Sequence, residues 1–116
     1  MPHIIIETSQ QLISNVNPDD LCKVVLNAAM DTHLFDDSPG GAKVRINSYN
    51  HYLNDYKNTD FIHTFAHILE GRTDQEKKDL STRITMAIMK ICPETPIIST
   101  QVIDIMKAGY TSKTMF

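Results

Sequence analysis

The chain has 116 residues, 41% of them hydrophobic and 22% charged, a size and balance that fit one globular domain over residues 1–116. The formal charge of −3 comes without any basic stripe, so nucleic acid is not the expected partner. The apolar run after Met1 is too short for a membrane span and has no basic leader, and Cys22 and Cys92 stand among apolar residues as free thiols would, so the expected setting is a reducing cytoplasm away from membranes.

Residues 3–8 open the pattern with Ile4-Ile5-Ile6, three β-branched side chains that favour a buried strand over a helix. Asn17-Pro18-Asp19-Asp20 is a helix start: a capping side chain, a proline whose missing N–H is harmless in the first turn, and acids at the positive dipole end. Leu21, Val24, Val25 and Ala28 recur at helical spacing, predicting a helix over 18–33. Asp36 to Gly41 reads as a loop. Val44, Ile46 and Ser48 then alternate with Lys43, Arg45 and Asn47, the period of a strand running to about Tyr52. Asn54 to Asp60 carries the turn residues of a hairpin connection, and Phe61 to Leu69 is a strand with both alternating rows largely apolar. Beyond Gly71, Thr73-Asp74-Gln75-Glu76 is a capping box. The helix it opens carries Leu80, Ile84, Ala87, Ile88 and Ile91 on one stripe and stops at Pro93 and Pro96. Ile97 to Met106 is the last strand, and the tail from Lys107 turns small and polar.

The order β-α-β-β-α-β gives an α+β two-layer domain with two βαβ halves. Right-handed crossovers put both helices on one face of a four-stranded sheet. The doubly apolar strand Phe61 to Leu69 then needs cover on the other face, and a second copy of the chain is the expected cover. The ferredoxin-like arrangement has the same element order, so order alone does not choose between the two folds.

Pro2 stands directly before the first strand, and aminopeptidases remove an initiator methionine that precedes a residue this small. Pro2 would then carry a free secondary amine anchored by a buried strand. An α-amino group has a pKa of about 7.7 to 8.0, and burial or neighbouring cations lower it further, toward that of a general base at neutral pH.

Met1-Pro2-His3-Ile4-Ile5-Ile6-Glu7 with Ser9 close behind, Phe61-Ile62-His63, and Glu70-Gly71-Arg72 resemble the tautomerase superfamily, and within it the 5-carboxymethyl-2-hydroxymuconate isomerases. The resemblance spans nearly the whole chain. It implies a homotrimer of βαββαβ subunits with sites near subunit boundaries, no metal or organic cofactor, and a small carboxylate substrate from the breakdown of aromatic compounds. It implies that Pro2 moves a proton between carbons of an unsaturated keto or enol acid while basic residues hold the substrate carboxylates. Arg72 carries over directly. The family's arginine early in the second strand aligns with Lys43, with Arg45 two residues on in the same row; a lysine there offers a point charge where arginine offers a bidentate fork. Arg72 is also physically odd by itself, since a cation at a helix N-terminus opposes the dipole unless an anion uses both.

Other signals point elsewhere. His63 and His67, joined by His51, invite a metal reading, but positions i and i+4 of a strand lie about 13 Å apart, too far for one ion. His3 is expected to have a structural role with its side chain opposite to that of Pro2. Met86, Met89 and Met106 read as fillers of core gaps. Tyr49, Tyr52 and Tyr56 form a cluster that either lines a pocket or covers the hairpin. The charges Asp74, Glu76, Lys77, Lys78 and Asp79 read as a solvated helix face. Ser9 and Ser38 show no base partner. Beside the isomerase reading stands a non-catalytic, ferredoxin-like oligomerisation or ligand-binding domain in which Pro2 is incidental.

Overall fold

The structure, a computed structural model, describes residues 2–36, 41–55 and 59–116. Ile4-Ile5-Ile6 lies in strand β1 (His3–Ser9), which a single turn of helix, α1 (Gln10–Ile13), follows directly. Helix α2 (Pro18–Met30) leads to β2 (Lys43–Tyr49), then β3 (Phe61–Leu69), α3 (Asp74–Ile91) and β4 (Ile97–Ile105). Two 3₁₀ turns, Lys107–Gly109 and Lys113–Met115, finish the chain.

The sheet order is β2-β1-β3-β4, with β1 parallel to β2, antiparallel to β3, and β3 parallel to β4. Each helix therefore joins two strands that are direct neighbours. In a split βαβ arrangement another strand would lie between them, so the pairing decides against the ferredoxin-like alternative. The pairing also corrects the expected hairpin. β2 and β3 do not pair, because β1 lies between them. β1 takes the centre because Ile4 and Ile6 need full cover, while β2, with Lys43 and Arg45 exposed, is suited to an edge.

One row of each strand faces the helices. Ile4, Ile6, Ile62, Ala66 and Ile68 meet Leu21, Val25 and Ala29 of α2 and Leu80, Ile84 and Ile88 of α3, all fully buried. The opposite row stays half-exposed along β3: Phe61, His63, Phe65, His67 and Leu69. Both helix starts are as expected. The Asn17 side chain accepts the Asp19 N–H at 2.9 Å, and Thr73 and Glu76 make both bonds of the capping box, at 3.1 and 2.8 Å.

The element ends follow from partners that run out. α2 stops at Met30, before the expected residue 33, because Thr32 Oγ1 donates to the Ala29 carbonyl at 2.6 Å and His33 turns left-handed at φ 59°. β2 stops at Tyr49, whose partner Ser9 is the last residue of β1, and β4 stops at Ile105, the partner of Leu69. The expected methionine fillers are a further correction. Met86, Met89 and Met106 are 56%, 53% and 65% exposed, since the core stripe of α3 is already filled by Leu80, Ile84 and Ile88. Both cysteines are free; Cys92 is buried and Cys22 half-buried. The loop prediction for Asp37 to Gly40, Ser38 among them, lies outside the described residues, as do Met1 and Tyr56.

Candidate functional site

Pro2 enters the sheet one residue before β1. Its carbonyl accepts the Lys43 N–H at 3.0 Å and its ring is fully buried. Even-numbered residues of β1 face the helices, so the ring continues the row of Ile4 and Ile6. The register that pairs His3 with Lys43 and with His67 sets Pro2 at the end of the sheet where β3 and β4 finish. The bond to Lys43 and the burial of its ring hold Pro2 in place, as a frayed terminus would not be held.

The chain turns at this same end. Glu70 caps the exit from β3, its N–H bonding to the Ile105 carbonyl at 3.0 Å and its carboxylate accepting the Lys107 N–H at 2.7 Å. Gly71 follows at φ +120°, a conformation that side chains other than hydrogen oppose. That turn directs Arg72 back across the end of α2. Its guanidinium donates to the Leu34 carbonyl at 2.6 Å and to the Leu69 carbonyl at 3.2 Å, and lies 5.5 Å from the centre of the Phe35 ring. Arg72 thus ties the segment after α2 to the end of β3. Two of its five N–H groups are used in these bonds.

Lys43 and Arg45 occupy the odd row of β2, on the sheet face away from the helices, with His3 beside them on β1. Arg45 Nη1 donates to His3 Nδ1 at 3.4 Å, and His3 Nε2 is 3.2 Å from the Tyr110 hydroxyl in the tail. Arginine only donates, so Nδ1 must accept and the ring proton sits on Nε2, pointing at Tyr110. Burial first, then the cations Lys43 and Arg45, push the pKa of His3 below its ordinary 6.5, which favours this neutral form.

The expected site residues therefore gather at one end of the sheet on two levels: Pro2 and Arg72 by the helix layer, and Lys43 with Arg45 on the open face. Two grooves of the single chain lie elsewhere. One of about 560 Å³ is lined by Leu12, Val16, Asp60, Cys92 and Pro96 at the opposite end, and one of about 440 Å³ runs between α2 and α3 beside Met86. The tyrosines also sit away from Pro2. Tyr49 donates to Glu7 at 2.7 Å, and Tyr52 packs edge-on to Phe61 at 5.1 Å, so these two cover the far end of β3. Ser9 is buried and donates to Asp60 at 2.8 Å, a partner absent from the sequence reading. His63 is engaged by Ser99 at 2.6 Å, and among the described residues no three His, Cys, Asp or Glu side chains gather as a metal site. The contacts not legible in the sequence are those of Ser9 with Asp60, of Arg72 with Leu34 and of His3 with Tyr110; for the last, an aromatic at position 110 of a largely small and polar tail was the available signal.

Residues 2–103, from Pro2 through Arg72 and most of β4, match the family model of 5-carboxymethyl-2-hydroxymuconate isomerase. The chain belongs to that isomerase family. Solved structures agree on the fold. A 5-carboxymethyl-2-hydroxymuconate isomerase from Deinococcus radiodurans R1 superposes with a TM-score of 0.80 at 20% identity, covering 97% of this chain and 88% of that one. A 5-carboxymethyl-2-hydroxymuconate delta-isomerase gives 0.74 at 18% identity, with 97% and 87% covered. A fused 4-OT described as a symmetric trimer gives 0.76 at 13%, with 96% and 91% covered. Among curated proteins no sequence matches. No helix among the described residues is long and apolar enough to cross a membrane.

Proposed function

We propose that this chain is a cofactor-independent isomerase that shifts a proton in an unsaturated keto or enol acid of the 5-carboxymethyl-2-hydroxymuconate type, with the Pro2 amine as general base after loss of Met1. The observation that carries the reading is Pro2 itself: a fully buried residue directly before β1, locked to β2 through its carbonyl. Burial disfavours the ammonium, which draws a Pro2 amine toward the neutral form that takes a proton.

The cations supply the other half. A dicarboxylate held by Lys43 and Arg45 presents its reacting carbons to the base, and the negative charge that moves onto the enolate is stabilised by the same side chains. The N–H groups of Arg72 not used on Leu34 and Leu69 are available to a carboxylate from the helix side. The half-exposed apolar row of β3 supports assembly as a homotrimer, in which a neighbouring copy closes the open face above Lys43 and Arg45.

Two forms of the protein separate this reading from a bystander Pro2: Met1-free chain, verified by intact mass, and a chain that retains Met1. The Met1-free form is expected to ketonise a dienol acid at a rate that rises as a group near or below pH 7 deprotonates. The retained methionine turns the nitrogen into an amide, so that form is expected to be nearly inert. Equal rates in the two forms remove Pro2 from the mechanism.

A further inference from the structure

We infer that His3 and Tyr110 are positioning residues that aim the guanidinium of Arg45 at a substrate carboxylate, which makes the C-terminal tail part of the substrate site. The inference rests on the proposed role of Arg45 and adds two residues to which no part in that reading has been given.

Three separate segments meet here. Tyr110 belongs to the tail, His3 to β1 and Arg45 to β2, and they form one line: Tyr110 Oη to His3 Nε2 at 3.2 Å, then His3 Nδ1 to Arg45 Nη1 at 3.4 Å. The rings of His3 and Tyr110 also meet edge to face, 6.2 Å between centres at 61°. The tail is anchored before it reaches His3, by the Lys107 N–H on Glu70 and by a 3₁₀ turn that bonds the Tyr110 N–H to the Lys107 carbonyl at 3.2 Å.

The line has a direction. Arginine cannot accept, so Nδ1 accepts, Nε2 keeps the proton, and the Tyr110 oxygen accepts it. With the imidazole held this way at both nitrogens, the guanidinium gives one of its five N–H groups to His3 and retains four, enough for a bidentate grip on a carboxylate. An exposed arginine at a sheet edge otherwise samples many rotamers, and binding it in one of them lowers the entropy lost when the substrate arrives.

The same line is sensitive to pH. His3 is faced by Lys43 and Arg45 from β2, by His67 from β3, by Tyr110 from the tail and by the amino terminus of the chain. Protonation would convert Nδ1 from acceptor to donor and set a second cation against Arg45, releasing it. Binding of a carboxylate is then expected to weaken as His3 gains its proton, apart from whatever pH does to the base.

The test uses Met1-free full-length protein and muconate, a stable unsaturated dicarboxylate, with its Kd measured by calorimetry. Tyr110→Phe removes one hydroxyl and is expected to raise the Kd about threefold to tenfold, the net worth of one hydrogen bond. His3→Phe, which keeps a ring but neither nitrogen, is expected to do the same and to remove the weakening at low pH. His3→Asn, whose amide oxygen takes the place of Nδ1, is expected to restore much of the affinity. In an Arg45→Met background Tyr110→Phe is expected to have no further effect, which is the mark of action through Arg45. An unchanged Kd for Tyr110→Phe, an equal effect with and without Arg45, or no muconate binding by the parent protein would each overturn the inference. Because binding is read without turnover, a protein that binds muconate in this pattern yet catalyses nothing would refute the function of Pro2 and leave the positioning line intact.

Discussion

Replacing Arg72 by alanine removes a strap whose cost can be worked out from its contacts. The guanidinium holds the Leu34 carbonyl at 2.6 Å and the Leu69 carbonyl at 3.2 Å and lies 5.5 Å from the Phe35 ring centre. A hydrogen bond from a charged group contributes about 1.5 to 3 kcal/mol when sheltered. Arg72 is only half-buried and water can replace it at both carbonyls, so the pair together is worth about 2 kcal/mol, and the aromatic contact adds about 0.5 kcal/mol. For a domain of this size each kcal/mol moves the melting point by about 4 °C, so Arg72→Ala is expected to melt about 10 °C lower. Arg72→Lys keeps the charge but can reach only one of two carbonyls set apart for a planar fork, and is expected to lose about half as much. Circular dichroism melts of the three proteins, with steady-state kinetics on the Met1-free forms, decide the matter. If Arg72 also grips a carboxylate, Arg72→Ala loses a factor of roughly 30 or more in kcat/KM at a temperature where it is still folded. A melting point within about 1 °C of the parent would refute the strap reasoning.

Three further outcomes follow from burial, charge and the open sheet face. Ile84→Ala empties a fully buried site and is expected to cost about 2 to 5 kcal/mol in a denaturant titration, whereas Met86→Ala, at 56% exposure, should stay within about 0.5 kcal/mol. Folding holds His3 neutral below its ordinary pKa of 6.5, so the unfolded chain binds the extra proton first and stability falls as pH drops through 6.5 toward the folded value, levelling off beneath it. The melting advantage of the parent over His3→Phe should therefore shrink as the pH falls through 6.5, and a constant difference would contradict the linkage. Light scattering at micromolar concentration is expected to give about three times 13.1 kDa, and a stable monomer would leave the half-exposed row of β3 unexplained.

The parts of the fold legible in the sequence are those set by local chemistry. Asn17-Pro18 and Thr73 with Glu76 are complete capping signals within a few residues, and the strand Phe61–Leu69 has both of its ends marked. Strand neighbours are another matter. Nothing local tells Tyr49 that Phe61 pairs with β4 and not with β2, because that choice is made by β1, forty residues earlier, taking the centre of the sheet. The exposed methionines show the same limit: Met86 and Met89 lie on a helix whose stripe was legible, but whether a further side chain was needed to fill the core depends on how closely α2 packs against α3. Of the residues proposed for the site, Pro2 stands out in the sequence by its position and Arg72 by its unfavourable place before a helix. The contacts of Arg72 do not, since Leu34 and Phe35 come near it only through the path of the chain after α2.

Lys43 and Arg45 differ in how they are held. Lys43 is fixed to Pro2 by its own backbone N–H, and its ammonium, which donates to the Gly41 carbonyl at 3.5 Å, is a point charge without a planar fork. Arg45 starts two residues further along the same row, and its guanidinium is drawn back toward that end by His3, the residue next to Pro2. A long, directed side chain on the second position can thus supply the planar grip that a lysine on the first does not. If the proposed chemistry holds, substrate orientation depends more on Arg45 than on Lys43, and the lysine contributes mainly its charge to the field around the amine, keeping that amine unprotonated while drawing the carboxylate toward it.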